Sequence, residues 1–443
     1  MVISKKRCIF AKNKCMKRTF LIIILGLLGY QSVGQDTIRM TLDSCLSYAY
    51  QHNIAVREAQ LNQASTQVLL DRAMMQFLPS INAGASENWG FQDGAASRNG
   101  NYGVNAGLTL FGGLSRMHNY RQNEINLEQS DLRIRQSFNA ISNQIVSAYL
   151  TILMNQEKLN FQKQVLKTSK QQAEEGILKY DVGKILESDY QLLTANYGSA
   201  TSNIENTQLT IESNRMALRS LLCMGISDVV DVVANDVQIT ADACTLPILD
   251  TVMQRSLRNL PDLAISEMDI DKARYNVKMA QSAYMPTLGL NAGISYYEGQ
   301  AGQVDGQGTV ITHGGMNSSV GVSLNIPILN QGNTRTQIKQ SKLELEQAQL
   351  QYDQKKIDIE QEIESQYITT QQALNQFKAC EMMEKAYKAS YDVYVMKYAE
   401  GAITTVEMLQ QQDKYLNALN DYLQSKYAFL LAQRTLKIYM GEW

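Results

Sequence analysis

The sequence contains a long internal duplication, and this feature constrains the fold more than any other. The residues around Pro79 are echoed 207 positions later by those around Pro286, and Lys179–Ile185 is echoed 218 positions later by Lys397–Ile403. Self-similarity of this kind indicates a repeated structural unit. We therefore predict two tandem units, residues 35–225 and residues 248–443, joined by a linker over residues 226–247.

The duplication also predicts the order of elements within each unit. A helical segment is followed by two short segments of period two, a long helical segment, a glycine turn and another helix. Met224-Gly225 returns as Met440-Gly441 at a shift of 216, so both units end alike. The second unit has a surplus in Glu298–Gly315, which predicts a longer loop because insertions collect in loops. Within the linker, Val229–Val233 predicts a short strand.

The first 34 residues have the composition of a secretory signal peptide. They hold seven of the 41 basic side chains and none of the 43 acidic ones, and an apolar run over Phe20–Leu28 follows Lys17 and Arg18. This run is shorter than the roughly 20 residues that a membrane-spanning helix needs. Signal peptides carry such a run ahead of a small-residue cleavage site. We expect residues 1–34 to be removed after export, with Met16 as an alternative start.

Composition excludes several classes of protein. Without residues 1–34 the net charge falls from −2 to −9, and an acidic chain without a basic stripe does not favour nucleic-acid binding. Five prolines and 27 glycines are too few for a disordered chain or an all-β chain with many turns. The remaining cysteines have no metal-site spacing: Cys45, Cys223, Cys244 and Cys380. Cys223 and Cys244 could pair in an oxidising compartment, but buried free thiols are the favoured interpretation.

Two long segments without proline, Ser115–Leu178 and Thr334–Met396, predict helices that form rods rather than a globule. At the usual rise per residue the first would reach roughly 96 Å. Their apolar residues advance by alternating threes and fours, and this period keeps one seam against a neighbouring helix. An ordinary long helical bundle is the alternative. The seam positions are Phe138, Ile141, Ile145, Ala148, Ile152, Asn155, Leu159, Gln162 and Leu166, then Ile363, Tyr367, Thr370, Leu374 and Phe377.

Four segments of period two predict strands that cross a membrane. Apolar side chains alternate with small or polar ones in Tyr102–Phe111, Leu288–Tyr297 and Ser319–Ile326, and more weakly in Ser80–Trp89. A tilted strand needs about 9–11 residues to cross a bilayer. The alternation suits strands with one face toward lipid and the other toward water. The alternative is a four-stranded sheet packed on a helix in a soluble protein.

Four strands cannot close a barrel alone, because single-chain barrels begin at eight strands. An open sheet edge in lipid leaves unpaired N–H and C=O groups, at a cost of several kcal/mol each. Two copies would give eight strands around a filled interior, whereas three copies would give twelve and could leave a pore. We therefore expect several chains to form a tube, which the long helices continue outside the membrane.

The duplicated order of these features resembles the TolC-like outer-membrane efflux proteins over nearly the whole mature chain. The resemblance is carried by the helix–proline–strand junctions, by the strand end Leu108–Gly113, and by a glycine turn with a downstream acid in each unit. It implies a fold that is mainly α-helical, with β-strands that cross the membrane. Each protomer would contribute four strands to a trimeric 12-stranded β-barrel and long coiled helices to a periplasmic α-barrel.

The resemblance also implies a function. The homotrimer would be a passive exit duct in the outer membrane, with its barrel in contact with outer-membrane lipid and its helices in the periplasm. It would dock to a periplasmic adaptor protein and an inner-membrane transporter of a tripartite efflux or type I secretion system. Drugs, metals and polypeptides all leave through this architecture, so the cargo stays open.

The resemblance places the glycine turns at the periplasmic tip, where the helices close the tunnel and the adaptor binds. The residues expected at the tip are Lys179, Tyr180, Gly183, Lys397, Tyr398 and Gly401, and the candidate gate residues are Asp189, Tyr398 and Glu407. Ile403 stands where the family has a gate arginine, and Gln410 where it has a second acid, which argues against a salt-bridge lock. A ring of three Glu407 carboxylates would favour cations and respond to pH. The alternative is that these residues only form an ordinary turn and a solvated helix surface.

The sequence indicates no enzyme and no cofactor. His52, His118 and His313 lie in unrelated segments, and the chain has no HExxH motif. Gly183-Lys184 lacks the glycine spacing of a phosphate loop, and Ile185 stands where such a loop needs Ser or Thr. The alternative function from another class is a secreted, soluble coiled-coil scaffold or adhesin whose four strands form a small head.

Overall fold

The computed structural model describes residues 37–92, 95–226, 228–233, 245–304 and 310–442. The expected signal peptide, residues 1–34, and Cys244 lie outside these residues. The described elements follow in chain order: β1 (Thr37–Met40), α1 (Leu42–His52), α2 (Ile54–Met75), β2 (Ser80–Gln92), β3 (Ala95–Gly112), α3 (Ser115–Asp181), α4 (Glu187–Leu221), β4 (Val229–Val232), α5 (Leu249–Asn259), α6 (Pro261–Ser282), β5 (Thr287–Val304), β6 (Val310–Asn325), α7 (Asn333–Ala399) and α8 (Thr405–Met440).

The two long helices predicted from the sequence are confirmed. Both α3 and α7 contain 67 residues, which corresponds to roughly 100 Å each. Near the sheet the helices lie side by side in the order α2–α3–α6–α7. In the half of the molecule farther from the sheet the order is α4–α3–α8–α7. The helices α3 and α7 therefore connect the sheet to the far end of the molecule. None of the helices in the described ranges has an apolar stretch long enough to cross a membrane.

The predicted seam is buried where the long helices pack against their neighbours. On α3 the buried seam residues are Ile145, Ile152 and Asn155, and on α7 they are Ile363, Thr370, Leu374 and Phe377. The polar members are satisfied locally: Asn155 Nδ2 donates to the Thr151 carbonyl at 2.9 Å, and Thr370 Oγ1 donates to the Gln366 carbonyl at 2.7 Å. These two buried residues therefore cost little, because each has a backbone partner. Gln162, a half-buried seam residue, differs: its Oε1 atom is buried without a hydrogen-bond partner among the described residues.

The helical segment that precedes the strands is divided in each unit, which corrects the prediction of one continuous helix. Asn53 ends α1 and caps α2, since its Oδ1 accepts from the Ala55 N–H at 2.9 Å. Its Nδ2 also donates to the Leu221 carbonyl at 2.7 Å, which ties the break to the end of α4. In the second unit Pro261 takes the first position of α6, where its missing N–H is not needed.

The four longer strands form one antiparallel sheet in the order β2-β3-β5-β6. They contain 13 to 18 residues, more than the predicted length. The surplus in the second unit was predicted as a loop, and this prediction is wrong for its described part. Residues 298–304 continue β5, and residues 310–315 begin β6. The surplus therefore extends the hairpin away from the helices.

The two faces of the sheet differ in chemistry. On one face Leu288 lies opposite Leu324, Leu290 opposite Val322, and Tyr296 opposite Met316, and most of these side chains are exposed. From Leu288 to Tyr296 this apolar face runs for about 26 Å along the strand, comparable with the roughly 25 Å apolar band of outer-membrane barrels. Charged side chains begin only beyond it, where Arg98 pairs with Glu87 at 2.8 Å.

A β-bulge interrupts the alternation at the helix end of β3. Thr109 pairs with Gly289, but Phe111 pairs with Leu288, so Leu110 is an extra residue. The predicted alternation therefore stops at Leu108 on the apolar face, and Phe111 takes the place that the pattern assigned to Leu110. A bulge increases the local twist of a strand, here directly before α3.

The predicted linker strand is confirmed and forms a second, two-stranded sheet. Within it β4 pairs in parallel with β1, so the start of the first unit and the linker lie together. This sheet packs on the middle of α3, where the buried Tyr149 OH donates to the Val233 carbonyl at 2.6 Å. Arg215 on α4 reaches Asp231 at 2.5 Å. The main buried cluster of the chain surrounds these contacts.

The ends of α4 and α8 correct two predictions. The N–H of Cys223 donates to the Ser220 carbonyl, as the N–H of Gly441 does to the Ile438 carbonyl, and both residues have positive φ. The structural equivalent of Gly441 is therefore Cys223, at a shift of 218, and not Gly225 at a shift of 216. Cys223 is also exposed rather than buried, whereas Cys45 and Cys380 are buried.

Candidate functional site

Both glycine turns lie at the end of the helices farthest from the sheet, and both close a long helix in the same way. In the first turn the Gly183 N–H donates to the Tyr180 carbonyl at 2.8 Å, and the Lys184 N–H donates to the Lys179 carbonyl at 2.8 Å. In the second turn the N–H groups of Gly401 and Ala402 make the matching bonds. These pairs of bonds define the Schellman ending of a helix.

The two glycines are explained by backbone conformation. Their φ values are 71° for Gly183 and 74° for Gly401, a left-handed region that costs other residues roughly 1–2 kcal/mol. A β-carbon at either position would meet no atom within 4 Å. The turns therefore need glycine for their φ angles, and the space beside each glycine is open to a binding partner.

The two turns line one cleft between the hairpins. Of the residues predicted for the tip and the gate, the cleft is lined by Lys179, Gly183, Asp189, Tyr398 and Gly401. Tyr180, Lys397 and Glu407 do not line it. Tyr180 stacks on Tyr190 of the same hairpin with 6.0 Å between ring centroids. Lys397 lies over the Tyr394 ring of its own helix at 5.7 Å.

Lys179 and Tyr398 connect the hairpins across this cleft. The Lys179 Nζ atom lies 4.8 Å from the centroid of the Tyr398 ring, within the range of a cation–π interaction. The Tyr398 hydroxyl in turn accepts a hydrogen bond from Thr405 Oγ1 at 3.4 Å, which holds the ring against the start of α8. The tip residues that the sequence predicted in separate units are thus brought into direct contact.

Glu407 is engaged by the turn that precedes it. Its Oε2 atom accepts from the Thr404 N–H at 2.8 Å and from Thr404 Oγ1 at 3.0 Å, while the Glu407 N–H donates to Thr404 Oγ1 at 3.2 Å. This capping box lowers the pKa of Glu407, chiefly through the backbone hydrogen bond from Thr404. The carboxylate is exposed and charged at neutral pH. The pattern Thr404-x-x-Glu407 is the sequence signal that would have identified the cap.

The first unit lacks this cap, although Asp189 occupies the equivalent third position of α4. Leu186 precedes that helix and offers no side-chain acceptor. Ile403, for which the resemblance led us to expect an arginine, lines the cleft as an apolar side chain. Within the described part of the chain no ion pair joins the two turns.

A polar layer lies directly above the cleft and was not predicted from the sequence. Asn196 Nδ2 donates to Ser169 Oγ at 3.2 Å and to Gln412 Oε1 at 3.3 Å, which joins α3, α4 and α8. Gln411 Nε2 donates to Ser390 Oγ at 2.9 Å and joins α8 to α7. Gln411 and Gln412 are buried. Hydrogen bonds of this kind fix the register between helices without forming a dry apolar core.

The described residues contain no group of His, Cys, Asp and Glu side chains that could hold a metal ion. What the site offers instead is a pair of exposed turns, one cation–π contact between them, and several carboxylates, among them Glu400 in the cleft and Glu407 beside it. Such an arrangement can bind a partner or open and close by separating the hairpins.

Comparison with known proteins agrees with this architecture. Residues 46–223 and 252–442 match the family model described as outer membrane efflux protein. The outer membrane efflux protein BepC of Brucella suis is 23% identical over 91% of this chain and 84% of its own length. The outer membrane protein TolC of Escherichia coli is 21% identical over 96% of this chain and 87% of its own length.

The fold is also that of solved efflux channels. A crystal structure of CusC, described in terms of transmembrane channel formation, superposes with a TM-score of 0.73 at 18% identity, covering 93% of this chain and 95% of that one. The two matched segments together span most of the sequence and include both glycine turns. The chain belongs to the outer membrane efflux protein family.

Proposed function

We propose that three copies of this chain form a passive exit duct through the outer membrane. The four strands of each copy lie in the outer membrane, and the helices extend into the periplasm. Twelve strands would close a barrel with an open interior, and the twelve helical rods below it would continue the passage.

The observation that carries this proposal is the uncovered sheet. Its apolar face is exposed on edge strand β6, with Val320 and Met316 at 79% and 78% exposure, and partly exposed on the central strands, and no described helix packs on it. The edge strands β2 and β6 each have one unpaired side among the described strands. A lipid-facing sheet must close on itself, since each unpaired backbone group in hydrocarbon costs several kcal/mol. Only further copies of the chain can supply the missing strands.

The helices next to the two edge strands support the same closure. On α2, which precedes β2, exposed apolar side chains recur every seven residues: Ile54, Leu61, Val68 and Met75. On α7, which follows β6, they do so again: Leu343, Leu350 and Ile357. A repeat of seven is the signature of helices that coil around a neighbour. We call these two sets the α2 stripe and the α7 stripe, and they lie at opposite edges of the protomer.

The tip turns are the surface for a periplasmic adaptor protein in this proposal. They lie at the far end of the rods, their glycines leave the backbone accessible, and their cleft joins both hairpins. An inner-membrane transporter would supply the energy. Among the relatives are proteins named for alkaline protease secretion and for cation efflux, so the family's names span more than one cargo class.

The domain organisation is proposed as predicted, with residues 1–34 as a signal peptide and residues 35–225 and 248–443 as the two units.

Membrane fractionation followed by cross-linking tests the function. We expect the protein in the outer-membrane fraction, extracted only by detergent, with a ladder that ends at three copies and ion currents in planar bilayers. A monomer recovered without detergent would instead support the secreted coiled-coil scaffold or adhesin.

A further inference from the structure

Among the positions whose side chains the structure describes, the polar face of the sheet is uniform in size and charge, with one exception. Its described positions alternate with the apolar face along each strand, at residues 80–90 of β2, 97–109 of β3, 287–299 of β5 and 315–325 of β6. All of these positions hold Gly, Ser, Thr or Asn except position 297, which holds Tyr. No charged side chain occurs among them, so this face selects little by charge.

Tyr297 lies in the half of the sheet that is farther from the helices, one residue beyond the apolar band that ends at Tyr296. It is paired with Asn101 on β3 and with Gly315 on β6. Ten residues separate it from Thr287 at the helix end, which corresponds to roughly 33 Å along the strand. In the exit duct this level is the outer mouth. Tyr297 is 52% exposed because its neighbours on this face are small and cover little of the ring.

The Tyr297 ring lies across Gly315 rather than upright on the sheet. A β-carbon on Gly315 would come within 2.8 Å of the Cε1 and hydroxyl oxygen atoms of Tyr297 and within 2.9 Å of Cζ. These distances are shorter than any van der Waals contact, so only glycine leaves room for the ring in this position. One face of the ring is held against the wall and the other remains open.

The neighbouring residue provides the same arrangement on the opposite face. Tyr296 lies on the apolar face, and a β-carbon on Gly314 would come within 2.9 Å of the Tyr296 hydroxyl oxygen. Tyr296 pairs with Tyr102 on β3, at the level where the apolar band ends. Aromatic side chains at that level are typical of the interface girdle of outer-membrane barrels. Tyr296 and Gly314 are therefore a matched control for Tyr297 and Gly315.

We propose that Tyr297, with its copies in the other two protomers, forms an aromatic constriction that sets the size limit of the outer mouth, and that Gly315 sets its width by letting the ring lie flat. This inference rests on the proposed exit duct. Because the rest of the described polar face is small and uncharged, replacing Tyr297 is expected to change the size of molecules that pass and not the sign of their charge.

The test measures access to the lumen from outside the cell. Asn105 lies on the same face as Tyr297 and is exposed, roughly 13 Å deeper along the strand. Asn105→Cys, in a chain with Cys223 and Cys244 replaced by serine, provides a reporter inside the barrel. Intact cells are treated with maleimides that carry polyethylene glycol of increasing size, and the labelling rate is compared among variants.

We expect Tyr297→Ala to raise the labelling rate by roughly threefold or more for polymers near the size limit, because the widest side chain is removed. Gly315→Ala should lower that rate, since the ring is displaced into the lumen. The double variant Tyr297→Ala/Gly315→Ala should behave as Tyr297→Ala does. Tyr296→Ala and Gly314→Ala should leave the size limit unchanged.

The outcomes separate this inference from the function on which it rests. Trimers that label equally with and without Tyr297 would overturn the constriction while the exit duct stands. If a small maleimide fails to label Asn105→Cys in a membrane-inserted trimer, the face is not a lumen and the proposed duct is wrong. A cross-linked trimer in the outer-membrane fraction for every variant shows that each has folded, and labelling by the small maleimide then shows that the lumen is open to solvent.

Discussion

Lys179 and Tyr398, which lie in different units of the duplication, meet at the tip of the molecule with the lysine Nζ 4.8 Å from the centroid of the tyrosine ring. The contact links the last turn of α3 to the last turn of α7. Since each residue belongs to a separate hairpin, separating the hairpins breaks the contact. It therefore has the geometry of a latch that favours the closed tip.

We expect Lys179→Met to shift the tip toward an open state. Cation–π contacts at exposed sites contribute about 0.5–1 kcal/mol, which corresponds to roughly two- to fivefold in the ratio of open to closed channels. Tyr398→Ala should have a similar effect, and the double variant should not exceed the larger single effect because both remove one contact. Open probability in planar bilayers measures the change.

Lys184→Met is the matched control for the latch. Lys184 lines the same cleft but is not placed over the Tyr398 ring, so its removal alters the local charge without the contact. If Lys184→Met opens the channel as much as Lys179→Met, the effect comes from charge in the cleft and the latch is disproved.

Glu407 can be tested separately for charge and for structure. Glu407→Gln removes the charge while keeping an acceptor for Thr404, because glutamine also forms a capping box. If three carboxylates surround the closed mouth, Glu407→Gln should lower the selectivity for cations and Glu407→Lys should reverse it. Thr404→Ala keeps the charge and removes the cap, so it should loosen the turn with less change in selectivity. Reversal potentials in a salt gradient distinguish these results.

The same carboxylate gives the pH dependence a definite sign. Its pKa is lowered in the folded protein by hydrogen bonds from Thr404. A lowered pKa means that the capping contribution is present above the ordinary value of the group and is lost as the pH falls through the folded value. Cation selectivity that depends on Glu407 should therefore remain constant near neutral pH and decline only in acid, below the usual range of a glutamate. Selectivity unchanged in acid would remove Glu407 from the mouth.

Periodicity was sufficient to predict the large elements. The long helices and the four strands occur where proline-free segments and period-two alternation predicted them. A segment without proline allows an unbroken helix, and strict alternation shows that each face of a strand keeps one environment over many residues. The divided first helix was not predicted. Its break at Asn53 depends on a side-chain cap and on a bond to Leu221, which lies 168 positions away. Nothing in the local sequence marks that bond.

The sequence did not predict local departures from a regular pattern, because nothing in the neighbouring residues marks them. The alternation Leu108–Leu110 looks regular, yet a bulge makes Leu110 an extra residue. Cys223 takes a left-handed conformation in which a glycine would be expected, as at Gly441. At the tip the sequence identified Lys179 and Tyr398 separately, but their contact depends on the packing of α3 against α8, which in turn packs against α7. Such long-range packing has no local signature.

The α2 and α7 stripes should be buried between protomers. Leu61→Glu on α2 or Leu350→Glu on α7 should disrupt the trimer, because burying a leucine contributes about 1.5–3 kcal/mol and the change occurs at three interfaces. Asn62→Glu and Gln351→Glu place the same charge on adjacent exposed positions and should leave the trimer intact. Cross-linking in detergent measures the fraction of trimer. A stable trimer with both leucines replaced would show that the stripes face something else.

The described cysteines should differ sharply in their reactivity toward maleimide. Cys45 is buried and its pKa is raised to about 12 by desolvation, so at pH 8 it should not react with a maleimide in the folded protein. Cys380 is buried as well, whereas Cys223 is exposed and should be labelled. Mass spectrometry of the labelled protein tests this order, and labelling of Cys45 before Cys223 would contradict it.

Replacing Cys223 by glycine should stabilise the end of α4. Its φ of 56° costs a residue with a β-carbon roughly 1–2 kcal/mol, and the greater freedom of glycine in the unfolded chain offsets about 0.5–1 kcal/mol of the gain. We expect a net increase of about 0.5 kcal/mol in the free energy of unfolding for Cys223→Gly and little change for Cys223→Ala. Gly441→Ala should have the opposite sign, because its β-carbon would also meet Asn259 at 2.9 Å. Thermal unfolding in detergent compares the three, and equal stability of the glycine and alanine variants at position 223 would exclude backbone strain there.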